Sequence, residues 1–180
     1  MRENISEILY SEEQLAARVK ELGAEITRDS EGKNPILVSV LKGSFVFMAD
    51  LARAIDINCP VDFMVVSSYG SGTTTSGSVK IIKDLQVDIA GKDIIIIEDI
   101  LDSGVTLSNL RSILGERGAN SIKICTLLDK PARRVADVTP DYKGFTIDDK
   151  FIVGYGLDYA EMYRNLPFIG VLDPKVYSES

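Results

Sequence analysis

The most constraining feature of the sequence is a run of four isoleucines, Ile94–Ile97, inside the stretch DIIIIED. A continuous apolar run rich in β-branched side chains is typical of a strand that is buried on both faces, as in a parallel sheet. Parallel strands need crossover connections, usually helices. The run therefore predicts a chain in which strands and helices alternate.

The rest of the hydrophobic pattern fits this alternation. Further strands are predicted at Ile36–Leu41, Val61–Tyr69, Val79–Leu85 and Ser121–Asp129. Helices are predicted after a capping box at Ser11–Gln14, over Phe45–Ile55, and from Thr106 to about Arg117, closed by Gly118. We expect an α/β fold with a central, mainly parallel, twisted sheet flanked by helices.

The chain has 180 residues, 45% of them hydrophobic, and no segment resembles a linker. This length suits one domain with a full core, so we expect residues 1–180 to form a single domain. The stretch from Pro131 onward is richer in Pro, Gly and Tyr. We expect it to fold partly over the edge of the sheet.

Charge and residue usage exclude several classes of function. The net charge is −7, from 20 basic and 27 acidic residues, which argues against a nucleic-acid or membrane partner. The chain has no histidine, so Ser-His-Asp and Cys-His catalysis and His-ligated zinc are excluded. Acid–base chemistry must then use Asp, Glu, Lys or Tyr. The polar N-terminus and the lack of a long apolar run predict a cytoplasmic protein.

The segment Glu98–Thr106 follows the buried strand and combines three features of a phosphate and ribose site. Ser103 and Gly104 allow a tight turn whose amides converge at a helix N-terminus, which attracts anions. The hydroxyls of Ser103 and Thr106 add donors. Glu98 and Asp99 suit vicinal ribose hydroxyls or a hydrated Mg²⁺. A simpler alternative is a capping residue with solvated acidic neighbours, but the order strand, carboxylates, Asp-Ser-Gly, helix favours a ribose 5-phosphate site.

The segment Gly70–Ser78, GSGTTTSGS, contains no large apolar residue. It cannot anchor itself in a core, so we expect it to be mobile. Its composition fits both a flexible hairpin connection and a lid over an active site. The residues alone leave these two alternatives open.

The stretch Ile97–Leu107, IEDILDSGVTL, resembles the phosphoribosyl-pyrophosphate signature of the type I phosphoribosyltransferases. Further segments, in family order, resemble the 6-oxopurine branch, the hypoxanthine-guanine phosphoribosyltransferases. They are LKGS at 41–44, SY at 68–69, LLDK at 127–130, and FIVGYGLDY at 151–159 with Arg164 after it. The similarity covers nearly the whole chain.

The resemblance implies a type I phosphoribosyltransferase-like sheet with a small hood formed from the terminal segments. It implies transfer of the 5-phosphoribosyl group from phosphoribosyl pyrophosphate to hypoxanthine or guanine, giving IMP or GMP and pyrophosphate in purine salvage. Mg²⁺ is the implied cofactor. A homodimer or homotetramer is expected by analogy only.

The resemblance also assigns roles to individual residues. Asp102 is the implied general base, facing N7 of the purine. The implied phosphate and ribose residues are Glu98, Asp99, Asp102, Ser103, Gly104, Val105 (through its backbone) and Thr106. The implied purine residues are Lys130, which donates to O6, Phe151, which stacks on the base, Ile152, through its backbone, and Asp158. Without the resemblance, Lys130 would be taken for an exposed surface lysine and Phe151 for a core residue.

At the pyrophosphate end, the resemblance implies a loop at Lys42 and Gly43, with a cis peptide between Leu41 and Lys42, and a guanidinium from Arg164. The implied metal ligands are Glu98, Asp99 and Asp158. Given the resemblance, a lid over the active site is the favoured interpretation of the segment Gly70–Ser78. It would include Ser68 and Tyr69 and span about residues 69–79.

Two alternatives stay open. One is a xanthine-preferring phosphoribosyltransferase, because the segments quoted do not settle what binds the 2-position of the purine. The other is a regulator of the same fold that senses phosphoribosyl pyrophosphate or a nucleotide without catalysis. With an isoelectric point near 4.7 and no spare segment, the chain offers such a regulator little room for a nucleic-acid-binding element.

Overall fold

The structure, a computed structural model, describes residues 1–68 and 79–178. Its strands are β1 (Ile5–Tyr10), β2 (Ile36–Leu41), β3 (Val61–Ser68), β4 (Val79–Lys83), β5 (Asp93–Leu101), β6 (Ser121–Asp129), β7 (Tyr142–Thr146), β8 (Ile152–Val153) and β9 (Ile169–Leu172). Its α-helices are α1 (Glu12–Asp29), α2 (Phe45–Ala54) and α3 (Val105–Glu116). No helix in the described part of the chain is long and apolar enough to cross a membrane.

The main sheet has six strands in the order β4-β3-β2-β5-β6-β7. All neighbours are parallel except β4, which is antiparallel to β3. The central position of β5 explains why all four isoleucines are buried: both of its edges are paired and both of its faces are covered. The predicted mainly parallel α/β sheet is confirmed.

Helices cover both faces of the sheet. The capping box of α1 is formed, with the Ser11 hydroxyl accepting from the Gln14 amide at 3.2 Å. The apolar stripe of α1 packs with α2 on one face, and α3 packs on the other. Gly23 allows close contact between α1 and α2, because a Cβ there would lie 2.6 Å from the Ala54 Cβ.

A second, three-stranded antiparallel sheet joins the two terminal segments in the order β1-β9-β8. Its own small core contains Val153, Leu166, Phe168 and Leu172. This sheet is the hood that the resemblance predicted, and it places Phe151, directly before β8, beside the end of the chain.

Two predicted boundaries need correction at the end of β5. The strand, predicted over the stretch DIIIIED at Asp93–Asp99, continues to Leu101, because its pairing with β6 extends to Leu101 opposite Asp129. Glu98 and Asp99 therefore lie inside the strand. Helix α3 begins at Val105 rather than at Thr106, and it follows Gly104, whose φ is +81°.

Candidate active site

The carboxyl ends of β2, β5 and β6 lie side by side, because these strands are parallel neighbours. The first turn after β2 carries Lys42 and Gly43, β5 leads into Asp102, and β6 leads into Lys130. Ligands of open α/β sheets bind at this edge. Segments that are far apart in the sequence, such as those of Lys42 and Lys130, thus meet at one place.

A cavity of about 170 Å³ lies at the turn between β5 and α3. Its polar lining comes from Glu98, Asp102, Ser103, Gly104 and Thr106. Gly104 precedes the first residue of α3, and no side chain caps the helix. The cap residue is thus neither Asp102 nor Ser103, although the Ser103 hydroxyl accepts a long hydrogen bond, 3.4 Å, from the Val105 amide. A helix N-terminus of this kind attracts anions.

Asp102 lies between this cavity and the segment after β6. Its Oδ1 atom is buried and has no hydrogen-bond partner among residues 1–68 and 79–178. The oxygen forms an ion pair with Arg133, whose Nε lies 3.6 Å away, too far for a hydrogen bond. Buried carboxylate oxygens nearly always have a partner, so one without is a candidate proton acceptor for a bound molecule.

The adjacent carboxyls of Glu98 and Asp99 are partly buried at the end of β5. The pKa of Glu98 is raised well above its ordinary value, mainly by desolvation and further by the charge of Asp99. Desolvation also raises the pKa of Asp99. Asp99 Oδ1 accepts from the Ile100 amide at 2.8 Å, while Glu98 Oε1 accepts from the Asp99 amide at 3.2 Å. Two such carboxyls attract hydroxyl donors or a cation.

Gly43 is enclosed by two other parts of the site. A Cβ at this position would lie 1.7 Å from Asp99 Oδ2. On the other side, Gly156, whose φ is +101°, packs so closely that its own Cβ would lie 2.2 Å from the Gly43 carbonyl oxygen. The peptide bond between Leu41 and Lys42 is cis, as the resemblance predicted. The loop after β2 therefore contacts the acidic pair directly.

Lys42 and Arg164 form a cationic group around one exposed carboxylate, Glu161. Lys42 Nζ lies 2.8 Å from Glu161 Oε2, and an Arg164 terminal nitrogen lies 3.4 Å from Glu161 Oε1. These cations lower the pKa of Glu161, the hydrogen bond from Lys42 most of all. Arg164 Nε is buried without a hydrogen-bond partner in the described parts of the chain, so one more donor is available there.

Asp158 is held inside the same turn. Its Oδ1 lies 3.1 Å from Arg164, and its Oδ2 accepts from the Glu161 amide at 2.9 Å. Arg164 is fixed further by a 2.8 Å bond to the Gly156 carbonyl. Within the described residues, no three acidic or cysteine side chains are close enough to hold a metal ion. The structure does not bring Asp158 into one such cluster with Glu98 and Asp99.

Lys130 is only 6% exposed, so the simpler expectation of a surface lysine is wrong. Its ammonium donates to the Lys150 carbonyl at 3.1 Å and lies 3.4 Å from Asp149 Oδ1. Arg133, which faces Asp102, lies 3.7 Å from the same Asp149 oxygen. A short chain of charges therefore connects Lys130 with Asp102.

Phe151 is 42% exposed, so it is not the core residue that an isolated Phe usually is. Its ring stacks on Tyr177 with a centroid distance of 4.9 Å, and the edge of Tyr159 meets it at 5.6 Å. Ile152, the next residue, is buried in β8. The geometry offers an aromatic platform supported from the C-terminal segment, and planar rings stack favourably on such a platform.

The predicted lid lies largely outside the described residues: nothing is described of Tyr69 or of the loop up to Ser78. Ser68 is the last residue of β3 and pairs with Val79 of β4. The two flanking strands are antiparallel neighbours.

Several residues around the site were not predicted from the sequence. Among them are Glu161, which pairs with Lys42, Tyr177, which stacks on Phe151, and Arg134, which contacts the turn after β5. Arg133 and Asp149, which connect Asp102 with Lys130, were not predicted either. None stands in a segment with a chemical motif. The only hint for Arg134 is its place in a basic pair directly after β6.

Residues 6–160 match the family model described as phosphoribosyl transferase domain. A hypoxanthine-guanine phosphoribosyltransferase of Streptococcus mutans is 55% identical over 179 residues, 99% of each chain. A protein with the same name from Bacillus subtilis is 56% identical over 177 residues, 98% of each chain. A solved hypoxanthine phosphoribosyltransferase of Staphylococcus aureus is 52% identical with a TM-score of 0.95, covering 98% of this chain and 96% of that one.

Proposed function

The chain belongs to the phosphoribosyltransferase family, and we propose that it transfers the 5-phosphoribosyl group of phosphoribosyl pyrophosphate to hypoxanthine or guanine. The products are IMP or GMP and pyrophosphate, and the reaction serves purine salvage. The observation that carries the proposal is the buried Oδ1 of Asp102, which accepts no hydrogen bond from the described residues and lies beside an anion-sized cavity. The site pairs a proton acceptor with a place for phosphate.

In the reaction, a bond forms between N9 of the purine and C1 of the ribose while the bond from C1 to the pyrophosphate oxygen breaks. The purine loses the proton on N7, and Asp102 Oδ1 accepts it. Positive charge develops on the ribose in the transition state. Catalysis then depends on alignment of the two reacting atoms and on nearby negative charge, which Glu98 and Asp99 supply.

The ribose and its 5′-phosphate occupy the turn after β5. The backbone amides of the turn, that of Val105 included, and the hydroxyls of Ser103 and Thr106 donate to the phosphate. Glu98 and Asp99 accept from the vicinal ribose hydroxyls. The small cavity at this turn supports the assignment, because its lining includes Ser103, Gly104 and Thr106.

The purine lies between Phe151 and the end of β6. Lys130 donates to O6, which selects a 6-oxopurine over adenine, since the 6-amino group of adenine would face the ammonium donor to donor. Phe151 stacks on the ring, the backbone of Ile152 reads the opposite edge, and we assign Asp158 to the purine as well. The burial of Lys130 supports its role, because a buried ammonium must bind oxygen acceptors.

Pyrophosphate binds at Lys42, Gly43 and Arg164. The contacts of Glu161 with both cations support this assignment, since they show that one anionic group can bind Lys42 and Arg164 together. The pyrophosphate would replace the exposed Glu161 carboxylate there. We propose that Ser68, Tyr69 and the segment up to about residue 79 shield this end from water during the reaction.

The donor set fits Mg²⁺. Glu98 and Asp99 are hard oxygen ligands with raised pKa values, so a cation between them would relieve their unfavourable charge. Mg²⁺ commonly uses one or two carboxylates and completes its coordination with phosphate and water. We propose Asp158 as a further ligand. When bound, the cation neutralises charge on the diphosphate.

We also propose a homodimer or homotetramer. Phe45 and Met162 are exposed apolar side chains, and together they line a cavity of about 470 Å³ beside Arg164. Neighbouring apolar side chains on a surface favour a protein partner. Light scattering over a range of protein concentrations tests this, and a monomer at every concentration would contradict it.

The reaction is tested by measuring IMP and pyrophosphate formed from hypoxanthine and phosphoribosyl pyrophosphate, with Mg²⁺ or with EDTA. We expect equal amounts of both products, only with Mg²⁺. In Asp102→Asn, kcat should fall roughly 10²–10⁴-fold, the usual worth of a general base. The matched control is Asp56→Asn, an exposed residue outside the site. Full activity of Asp102→Asn would contradict the assigned role.

A further inference from the structure

The segment after β6 binds a row of carbonyl groups on the back of the turn between β5 and α3. The Leu101 carbonyl accepts from the Lys130 amide at 3.0 Å and from Arg134 at 3.3 Å. The Asp102 carbonyl accepts from Arg134 Nε at 3.0 Å. The Ser103 carbonyl accepts from the amides of Val135 at 2.9 Å and Ala136 at 3.0 Å. Three consecutive carbonyls therefore point to one side.

The direction of these carbonyls fixes the direction of the amides that follow them. In a trans peptide group the C=O and N–H bonds are planar and antiparallel. The amides of Asp102, Ser103 and Gly104 must then point away from the segment that holds the carbonyls. The 170 Å³ cavity has all three of these residues in its lining and none from 130–136, which places it on the amide side. Successive amides turned to one side form an anion-binding concavity.

Arg134 binds two of the three carbonyls through its side chain. The same guanidinium donates to the Val138 carbonyl at 2.5 Å and contacts Asp129 Oδ1. The side chain is 17% exposed and that of Asp129 is 8% exposed, so the pair lies in the interior. Its stem also packs under the turn, because a Cβ on Gly104 would lie 2.9 Å from Arg134 Cδ.

We propose that Arg134 is a positioning residue for the 5′-phosphate of the substrate. It holds the carbonyls of Leu101 and Asp102 so that the amides of Asp102 and Ser103 are turned toward the phosphate before it binds. This inference rests on the proposed function and deepens it. Arg134 does not touch the substrate. Its effect on binding is confined to the 5′-phosphate, the group that the turned amides bind.

A lysine at position 134 cannot make the same set of hydrogen bonds. A guanidinium offers five N–H donors in a fixed plane, enough for three carbonyls and a carboxylate at once. An ammonium has three donors around a single nitrogen and cannot reach all of these separate acceptors at once. Arg134→Lys keeps the positive charge opposite Asp129 and removes the planar set of donors. The variant therefore tests the positioning role separately from the charge.

The test compares the affinities of GMP and guanosine, which differ only in the 5′-phosphate, by calorimetry on the full-length protein. In the native protein GMP should bind more tightly than guanosine. In Arg134→Lys we expect the ratio of the two affinities to fall about tenfold or more, the usual worth of hydrogen bonds to a charged group, with guanosine binding unchanged. The control is Arg111→Lys, an exposed arginine of α3 with one bond, to the Asp137 carbonyl at 3.3 Å.

The outcomes separate this inference from the proposed function. If the native protein does not prefer GMP to guanosine, the phosphate site itself is wrong. If it does, and Arg134→Lys keeps the native ratio, the positioning role is overturned. If Arg134→Lys fails to fold, the same comparison is made with Asp129→Asn, which weakens the ion pair with the Arg134 guanidinium. A smaller fall in the same ratio supports the proposal, and an unchanged ratio overturns it.

Discussion

At the scale of single residues, Glu98 and Asp99 make the site less stable than it would be without them. Both carboxyls are desolvated and lie next to each other, and the pKa of each is raised. A raised pKa means that the ionised form is less favourable in the folded protein than in the unfolded chain. The folded protein therefore keeps two carboxyls whose ionisation is unfavourable; the charge of Arg164 offsets this in part at Asp99, and a bound cation would offset it further.

The pH dependence of stability follows from this direction. As the pH rises above the ordinary pKa of glutamate, the unfolded chain loses its proton before the folded protein does. The folded state then binds more protons, so the free energy of unfolding falls with rising pH. This penalty is absent near pH 4.5 and grows up to the raised pKa of Glu98.

We expect Glu98→Gln, measured without Mg²⁺, to melt at a higher temperature than the native protein at pH 8. The difference should shrink at pH 5, which lies only slightly above the ordinary pKa of glutamate, because little of the penalty has accumulated there. Each kcal/mol regained corresponds to about 2–4 °C for a chain of this size. Melting curves at both pH values measure this, with the exposed Glu116→Gln as control. An equal difference at pH 5 and pH 8 would exclude the assigned protonation.

Residue patterns predicted some side chains of the site and missed others. The carboxylates and hydroxyls of Glu98–Thr106 stand together in the sequence beside a buried strand, so their meeting could be predicted. Lys130 and Phe151 needed the resemblance, because burial of a lysine and exposure of a phenylalanine depend on neighbours from other segments. Tyr177 and Arg134 act through tertiary contacts alone, which no local pattern encodes.

At the scale of elements, prediction succeeded where periodicity is strong. The run in β5 and the stripe of α1 each bury a continuous apolar face, and both elements were found. The short strands β1, β7, β8 and β9 were not predicted individually, since two to six residues carry too little periodicity. The end of β5 was placed too early, because pairing with β6 keeps polar residues in the strand.

The turn after β2 gives a prediction at this scale. A methyl group on Gly43 must displace the Asp99 carboxylate, from which it would lie 1.7 Å. We expect Gly43→Ala to lower kcat/KM for phosphoribosyl pyrophosphate by about 10²-fold, the effect of a misplacement near 1 Å. Steady-state kinetics measure this.

The matched control is Gly115→Ala in α3. A Cβ there would meet only Ile122 Cδ1, at 3.9 Å, which is ordinary contact. Alanine is favoured over glycine in a helix by roughly 0.5–1 kcal/mol, so this variant should keep full activity and melt at a slightly higher temperature. Native kinetics in Gly43→Ala would show that the turn and the acidic pair are not coupled.

At the scale of the whole molecule, an acidic protein binds anionic substrates. The net charge of −7 repels a phosphate at long range, but within a few ångströms local groups decide. The cations Lys42 and Arg164 and the turned amides after β5 supply positive potential at the sheet edge. The parallel sheet brings these groups together, and the hood adds the aromatic platform at Phe151.

The most direct test of the account is a comparison of four bases as acceptors. Hypoxanthine, guanine, xanthine and adenine are each supplied with phosphoribosyl pyrophosphate and Mg²⁺, and nucleotide formation is measured as kcat/KM. The account predicts turnover of hypoxanthine and guanine and none of adenine, since Lys130 meets an acceptor only in a 6-oxopurine. Equal use of adenine, or no nucleotide from any of the four, would contradict it.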